Sequence, residues 1–435
     1  MSAIVRSTGP GIVAAELPSQ PRGDLDCDVC IIGDGVPGLW IALVLALRGR
    51  AVVLLDTKAP EEGRHEAVVG AGLDLTATDL CERADRDRAR ALYDLSVGAA
   101  RSAIRLLEVL GLEQTGEGQL LVPGPAGLSD LLDEAAARDV LGLSELSRVG
   151  ETDLGDLLGT DAYAGALFDS HAWRFDVRSL GRLLGDAVAA AGVRRFVNAP
   201  VQGVDLDGVR KYIQLAGGRV RADHAVFSAT RGLGRVAPWL ARAIYPATFV
   251  TGTFDTGGVR LTEPGSSGLA VRETGARPAR FLLDGSRITV TAPTATYQGR
   301  EVAAACALRR QVGALYPGLA RATVGAAFGW RAACAPAGLP VIGSYRPGVW
   351  YALALGQDPL ANVSLAADLI GDAIVERDDR ITLFGGPPLP STWGVLGAGM
   401  RWSTYWAGRI ADRSERRRAR FADRQEVSMV EFSSA

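Results

Sequence analysis

The sequence predicts an α/β chain with a parallel-sheet domain, an antiparallel-sheet domain and a C-terminal extension. Three observations carry this. A strand, a helix and a second strand follow one another near the start within about 30 residues, the length of a βαβ unit. Residues 245–300 are rich in Thr, Val and Phe between glycine turns, the pattern of an antiparallel sheet. Trp350–Leu355, read as a strand, is followed by Val363–Val375, read as a helix, which repeats the strand–helix order late in the chain.

Asp28–Gly33 (DVCIIG) is a short β-rich apolar run ending in glycine, as a strand covered on both faces would be. Val36–Arg48 reads as a helix with Pro37 in its first turn, where the missing N–H costs nothing. Ala51–Leu55 is a second apolar strand, closed by Asp56. Residues 79–112 read as helical, with Leu92, Leu95, Ile104, Leu107 and Leu110 near helical spacing, and Ser179–Ala191 as an amphipathic helix. Short β-like runs follow at Arg195–Val197, Tyr212–Leu215 and His224–Ser228, and Ala303–Leu315 returns to helix. Residues 1–24 read as a flexible arm, 384–395 as a proline- and glycine-rich loop, and Arg409–Arg424 as a mixed-charge helix with a solvated face.

Composition excludes several classes. The 435 residues are 48% hydrophobic and 22% charged, which rules out wholesale disorder. A formal net charge of -2 argues against a protein that binds nucleic acid through a basic surface. Five scattered cysteines do not make a disulfide framework, and three histidines leave little material for a zinc or iron site, so no metal is expected. The longest apolar stretch, Leu39–Leu55, is interrupted by Arg48 and Arg50, so no membrane span is expected, and the first residues do not read as a secretory signal. A cytoplasmic setting is the expectation.

The motif with the most physical content is Gly33-Asp34-Gly35-Val36-Pro37-Gly38, a G-x-G-x-x-G between a strand and a helix, with Asp56 ending the next strand 18 residues after Gly38. Gly33 permits the tight turn, Gly35 lets backbone N–H groups approach a pyrophosphate, and Gly38 lets helix and strand pack closely. The helix N-terminus adds a positive dipole, and Asp56 is placed to accept from ribose hydroxyls, which disfavours a 2′-phosphate. The domain is therefore read as Rossmann-type.

These residues also carry a resemblance. DVCIIGDGVPGLWIALVLALRGRAVVLLD resembles the FAD-binding start of the D-amino-acid oxidase-like flavoenzymes, a group that includes glycine and sarcosine oxidases and γ-glutamylputrescine oxidoreductases. Phe175-Asp176-Val177, the run Arg219–Thr230 and the segment from Gly329-Trp330-Arg331 to Gly338-Leu339-Pro340-Val341-Ile342-Gly343 resemble later segments of the group, in the same order. The sequence departs from the group at Glu62–Gly72, at Arg231 after Ala229-Thr230, at Ala337, and in the late flavin loop Gly356–Asn362. The resemblance implies a Rossmann-type FAD-binding domain (25–85, 165–244 and 320–380) and an antiparallel-sheet substrate domain (86–164 and 245–319), with 381–435 as the extension. It implies FAD as cofactor and hydride transfer from a small amine-bearing substrate, with oxygen or an electron-acceptor protein as the next acceptor and a homo- or hetero-oligomer as a possible assembly.

The cofactor set it implies is Gly33, Gly35, Gly38, Asp56, Arg64, His65, Val201, Gly356 and Asn362. His65 is read as a flavin or phosphate contact, a covalent attachment point or a solvated loop histidine. Arg331 aligns with an arginine near the flavin and the substrate carboxylate, against a buried structural ion pair. His171, Trp173 and Arg174 suit a substrate amine and carboxylate, against a local structural cluster. His224 is read as structural, Cys334 as a small buried residue, and Cys27-x-x-Cys30 as unsuited to redox work in a strand. Tyr245, Tyr297 and Trp330 are read as cavity wall or aromatic core. Two other readings stay open: a flavin hydroxylase or halogenase, and a non-catalytic subunit on the same scaffold.

Overall fold

The computed structural model describes residues 21–392 except 22, 34, 56–65, 125–126, 144–145, 229–231, 256–267, 276–277, 286, 295–300, 320–323, 386–388 and 390. Most of the N-terminal arm and the 409–424 helix expected from sequence lie outside these residues, as do Asp34, Asp56, Arg64, His65 and Tyr297.

Two sheets organise the chain. The first holds β1 (Leu25–Ile32), β2 (Val52–Leu55), β7 (Arg194–Phe196), β8 (Gly203–Asp205), β9 (Lys211–Leu215), β10 (Gly218–Phe227), β16 (Val341–Arg346) and β17 (Val349–Leu353). Its order is β16-β17-β10-β1-β2-β7, with β9 against β10 and β8 against β9; from β17 to β7 the strands are parallel. β1 is apolar throughout its second half because both its faces are covered. Val29 and Ile31 enter one core and Cys30 and Ile32 another.

The first of these cores is helical. α1 (Val36–Leu47) is hydrophobic on nearly every side, and Leu39, Trp40, Ile41, Ala42, Leu43 and Leu45 are all buried, each contributing about 1.5–3 kcal/mol for the larger side chains. It lies beneath α6 (Leu180–Ala190) and α10 (Leu360–Val375), and Arg48 at its end pairs with Asp372 of α10. The helix expected over 79–112 is two helices, α2 (Ala77–Arg83) and α3 (Arg86–Val109). Asp85 separates them because its carboxylate accepts from Arg88 N at 3.0 Å and caps α3. α3 packs on α10, so this part of the span 86–164 shares the core of the first sheet. α4 (Ser129–Leu141) packs against α2 and α3.

The second sheet holds β3 (Glu66–Val69), β4 (Gln114–Val122), β5 (Ser147–Gly150), β6 (Gly165–Asp176), β11 (Tyr245–Asp255), β12 (Leu269–Glu273), β13 (Arg280–Asp284), β14 (Arg287–Thr294) and β15 (Val324–Cys334). Its order is β15-β11-β14-β13-β12-β4-β6-β3, with β5 against β6; it is antiparallel except at β12–β4. β3, β6 and β15 therefore sit in this sheet and not in the nucleotide-binding one to which their sequence spans were assigned. Backbone pairing decides it, as β3 pairs with Trp173–Asp176 of β6 and β15 with β11. One face is apolar and covered by α5 (Glu151–Leu158) and α9 (Glu301–Leu315), with Val250, Phe254, Phe281, Leu283, Ile288 and Val290 pointing into it. By strand alternation, Thr251, Ala270, Arg272, Arg280, Leu282 and Thr291 point the other way. The short α7 (Leu233–Val236) and α8 (Pro238–Ala241) close the far side of the first sheet. None of the described helices is long and apolar enough to cross a membrane.

The tightest demand on sequence lies at the end of β1. A Cβ on Gly38 would stand 1.6 Å from Gly33 O, whereas one on Gly98, on the exposed side of α3, would meet no atom within 4 Å. Gly38→Ala should lower the unfolding free energy by at least about 3 kcal/mol, the upper end of overpacking costs, or prevent folding. Gly98→Ala should raise it by about 0.5–1 kcal/mol. Urea denaturation of the two variants checks both; equal stabilities would refute the close approach.

Candidate functional site

The site is assembled where three strands of the first sheet end and the open face of the second sheet begins. Gly33 leaves β1 at φ +119°, and the Ser228 hydroxyl at the end of β10 donates to its carbonyl at 2.9 Å. Gly35 then starts α1 with no side-chain cap, which leaves the first N–H groups of the helix for another acceptor. A left-handed glycine, a helix that approaches the strand as only glycine allows, and an uncapped apolar helix start fit the pyrophosphate of a dinucleotide.

The late loop follows β17. Gly356 lies at φ +96°, and a Cβ there would stand 2.7 Å from Asp74 Oδ2. Asn362, buried in the first turn of α10, donates through Nδ2 to Leu355 O at 2.9 Å and closes the loop on itself. Val201 is buried in the core on the far face of the first sheet.

Asp74 is the centre of the arrangement. Leu73 and Asp74 both adopt left-handed backbone, at φ +60° and +67°, which costs roughly 1–2 kcal/mol per residue unless the surroundings hold it. They do so here. Gln357 N donates to Asp74 Oδ2 at 2.6 Å, Arg272 Nη2 to Asp74 O at 2.9 Å, and the Arg280 guanidinium pairs with both Asp74 and Asp358. Burial alone would raise the Asp74 carboxyl, but Arg280 and Arg272 together outweigh it and hold the group below its ordinary value. Two carboxylates and two guanidiniums thus neutralise one another.

Two cavities flank this cluster. One of about 670 Å³ is lined by Tyr245, Arg272, Cys334, Ala354, Gly356 and Gln357, and so lies between the second sheet and the loop after β17. The other, about 370 Å³, is lined by Thr251, Ala270, Arg280, Thr291, Phe328 and Asp358 on the open face of the second sheet. Cys334 carries a thiol that burial, with a contribution from Asp74, pushes up to about 11, so it is no nucleophile near neutral pH. Cys27 is likewise raised by burial to about 12, and both it and Cys30 are free.

Three residues expected at the chemistry are elsewhere. Arg331 is exposed on the edge strand β15 and lines neither cavity. Its neighbour Trp330 points inward instead, stacking on Phe249 with centroids 4.8 Å apart and donating to Thr251 Oγ1 at 3.0 Å. His171 has an 85% exposed side chain, because a register shift between Glu117 and Gln119 leaves it outside the β4–β6 ladder. Arg174 is buried but consumed by structure: it donates to Thr115 Oγ1 and Leu283 O, each at 3.0 Å, and pairs with Glu66 at 3.4 Å. His224 accepts from Trp350 Nε1 at 3.2 Å within the first sheet.

The residues that do converge, Asp74, Arg272, Arg280, Gln357 and Asp358, were not expected from sequence. The available signal was an arginine at an inward position of an otherwise apolar strand, in Ala270-Val271-Arg272 and in Arg280-Phe281-Leu282-Leu283.

Comparison with known proteins agrees with this architecture. The family profile DAO, described as FAD dependent oxidoreductase, matches residues 28–373. A protein named probable oxidoreductase OrdL from Haemophilus influenzae is 23% identical over 388 residues, spanning 84% of this chain and 87% of its own. One of the same name from Rhizobium meliloti is 26% identical over 360 residues, spanning 79% and 83%. The fold is shared with glycine oxidase from Geobacillus kaustophilus, at TM-score 0.65, 18% identity and coverage of 82% of this chain and 96% of that one. L-proline dehydrogenase from P. horikoshii shares it at TM-score 0.63, 13% identity and coverage of 87% and 97%.

The Asp74 cluster has an acid signature. A carboxyl held below its ordinary value stabilises the fold above the unfolded-state value near pH 4, and that stability is lost as pH falls through the folded value. Asp74→Asn should cost about 3–5 kcal/mol at pH 7 because it leaves buried guanidinium charge uncompensated. It should also flatten the fall in stability below pH 4. Denaturation at pH 7, 5, 4 and 3 tests this; parallel wild-type and variant curves would refute it.

Proposed function

The chain belongs to the DAO family of FAD-dependent oxidoreductases, and on that footing we propose that it oxidises a small amine or amino acid. The substrate's C–N bond becomes C=N as hydride leaves carbon and a proton leaves nitrogen; the electrons then pass to oxygen or an electron-acceptor protein. FAD, when bound, supplies the two-electron acceptor at its N5.

The observation that carries this reading is the cavity of about 670 Å³ with the loop after β17 on one side and Arg272 and Tyr245 of the second sheet on the other. Gly33, Gly35 and Gly38 would let the pyrophosphate sit against the start of α1, and Asp56, by its place after β2 in the sequence, would accept from the ribose. Gly356 and Asn362 set the course of the loop that would face the flavin. Asp74, Arg280 and Asp358 pin that loop to β13, so that the cavity keeps its shape without a substrate. The chemistry asks no thiolate or metal of the chain, because the protein's share is to orient the substrate and stabilise charge.

The test is anaerobic reduction. Purified protein loaded with FAD should lose its visible flavin band when mixed with a productive amine or amino acid, and should keep it when mixed with NADPH alone. Rapid bleaching by NADPH would overturn the reading in favour of a hydroxylase-type enzyme.

A further inference from the structure

We propose that residues 393–424, the chain beyond Thr392, dock on the outer face of α4 and pass over the cavity of about 670 Å³ on the way. Arginines of this segment pair with acids of α4 and α5, and Trp402, Tyr405 and Trp406 cover Leu128, Leu132 and Val140. The segment lies beyond the span 28–373 that the family profile matches, and the proposal does not depend on which substrate is oxidised.

The face of α4 comes first. Leu128, just ahead of the helix, and Leu132 and Val140 within it are 46%, 63% and 53% exposed. They stand four and eight residues apart, with Ala136 exposed between them, and so form one stripe along the helix. The opposite side, with Leu131, Glu134, Arg138 and Leu141, is buried. Seven large hydrophobic side chains are exposed among the described residues, and four of them, with Leu157 of α5, lie between 128 and 157. Apolar groups gathered in this way mark a surface that takes a partner, whereas scattered ones would not.

Charge selects the occupant. Residues 129–161 hold nine acids and two arginines, and Asp133, Asp139, Glu151, Asp153 and Asp156 are exposed. A second copy laid on the stripe would set like charge against like charge. The complement is a segment of arginines and aromatic side chains. Residues 401–424 hold eight arginines and three acids, and Trp402, Trp406 and Ile410 recur at intervals of four, the spacing of one helix face. A formal net charge of -2 for the whole chain conceals this division.

The path of the chain makes the contact short. Thr392 N–H donates to Arg242 O at 2.8 Å, and Arg242 stands three residues before Tyr245, which lines the cavity. Asp130, Asp133 and Glu134 of α4 line the same cavity from a different element. A chain that joins Thr392 to the α4 stripe therefore passes the cavity. Residues 393–401 reach up to about 30 Å when extended, more than the width of such a cavity. A tether this short keeps the segment at high effective concentration over the face, so that individually weak surface pairs suffice to hold it.

The experiment uses the whole chain, loaded with FAD, carrying the photo-cross-linking substitution Leu132→p-benzoylphenylalanine. Irradiation should join position 132 to residues 402–424 of the same chain, at monomer mass, as read by peptide mass spectrometry. The same substitution at Val209, 90% exposed in a loop of the first sheet, should give no such product. Sodium chloride at about 1 M should lower the yield about tenfold, because exposed ion pairs are screened. Combined Arg413→Ser, Arg416→Ser, Arg417→Ser and Arg420→Ser should lower it likewise. In that variant a neutral maleimide should label Cys334, which lines the cavity, about tenfold faster than in the wild type. If the substitution at Leu132 impairs folding, the same substitution at Val140 carries the test. A product of dimer mass only, or no product with residues 402–424, would overturn the docking. Cross-linking to those residues with Cys334 labelling unchanged in the arginine variant would overturn the passage over the cavity.

Discussion

A single buried carboxylate holds the working end of this molecule together. Asp74 follows β3 in a left-handed turn, reaches the loop after β17 through the Gln357 N–H, and meets the open face of the second sheet through Arg272 and Arg280. Three chain segments that share no strand are thereby fixed to one another. Burial works against such a charge, so the arrangement is stable only because two guanidiniums and a backbone N–H replace water. The backbone geometry at residues 73 and 74 follows from this: the network over-determines a conformation that neither residue would adopt alone.

The nucleotide-binding part was legible in the sequence because it is local. A strand buried on both faces reads as an unbroken apolar run, and glycines whose Cβ would collide with backbone are spaced by the turn they make. The helix expected over 79–112 shows the limit of periodicity alone, since α2 and α3 share one hydrophobic rhythm and only the capping carboxylate of Asp85 marks the break. Sheet membership was less legible. β6 lies between a nucleotide-domain helix and a substrate-domain loop in sequence, and nothing short of its pairing partners assigns it to the second sheet.

Site residues failed in the sequence for a related reason. A sequence names residue types but not the direction in which side chains point. Arg331 and Trp330 are adjacent on one strand and point oppositely, so placing the tryptophan inward sends the arginine to solvent. A register shift between Glu117 and Gln119 turned His171 outward, and Arg174 was spent on Thr115, Leu283 and Glu66. The contacts that make the site join Asp74 to Arg272, Arg280 and Gln357 across about 200 residues or more, separations at which local pattern carries no information.

The chain's path explains why the site sits between the sheets and not within either. The first sheet draws its strands from residues 25–55, 194–227 and 341–353, and the second from 66–176 and 245–334, so the chain crosses from one to the other four times. Every crossing must be made before the second sheet can lie against the loop after β17. The glycine turn after β1 is local, but the wall of the cavity is a product of long-range closure, with a loop entropy offset by strand pairing, core burial and the Asp74 cluster together. The charged cluster at the junction is then a condition of the site's shape as well as a wall of its cavities, since the same residues that close the fold also line them.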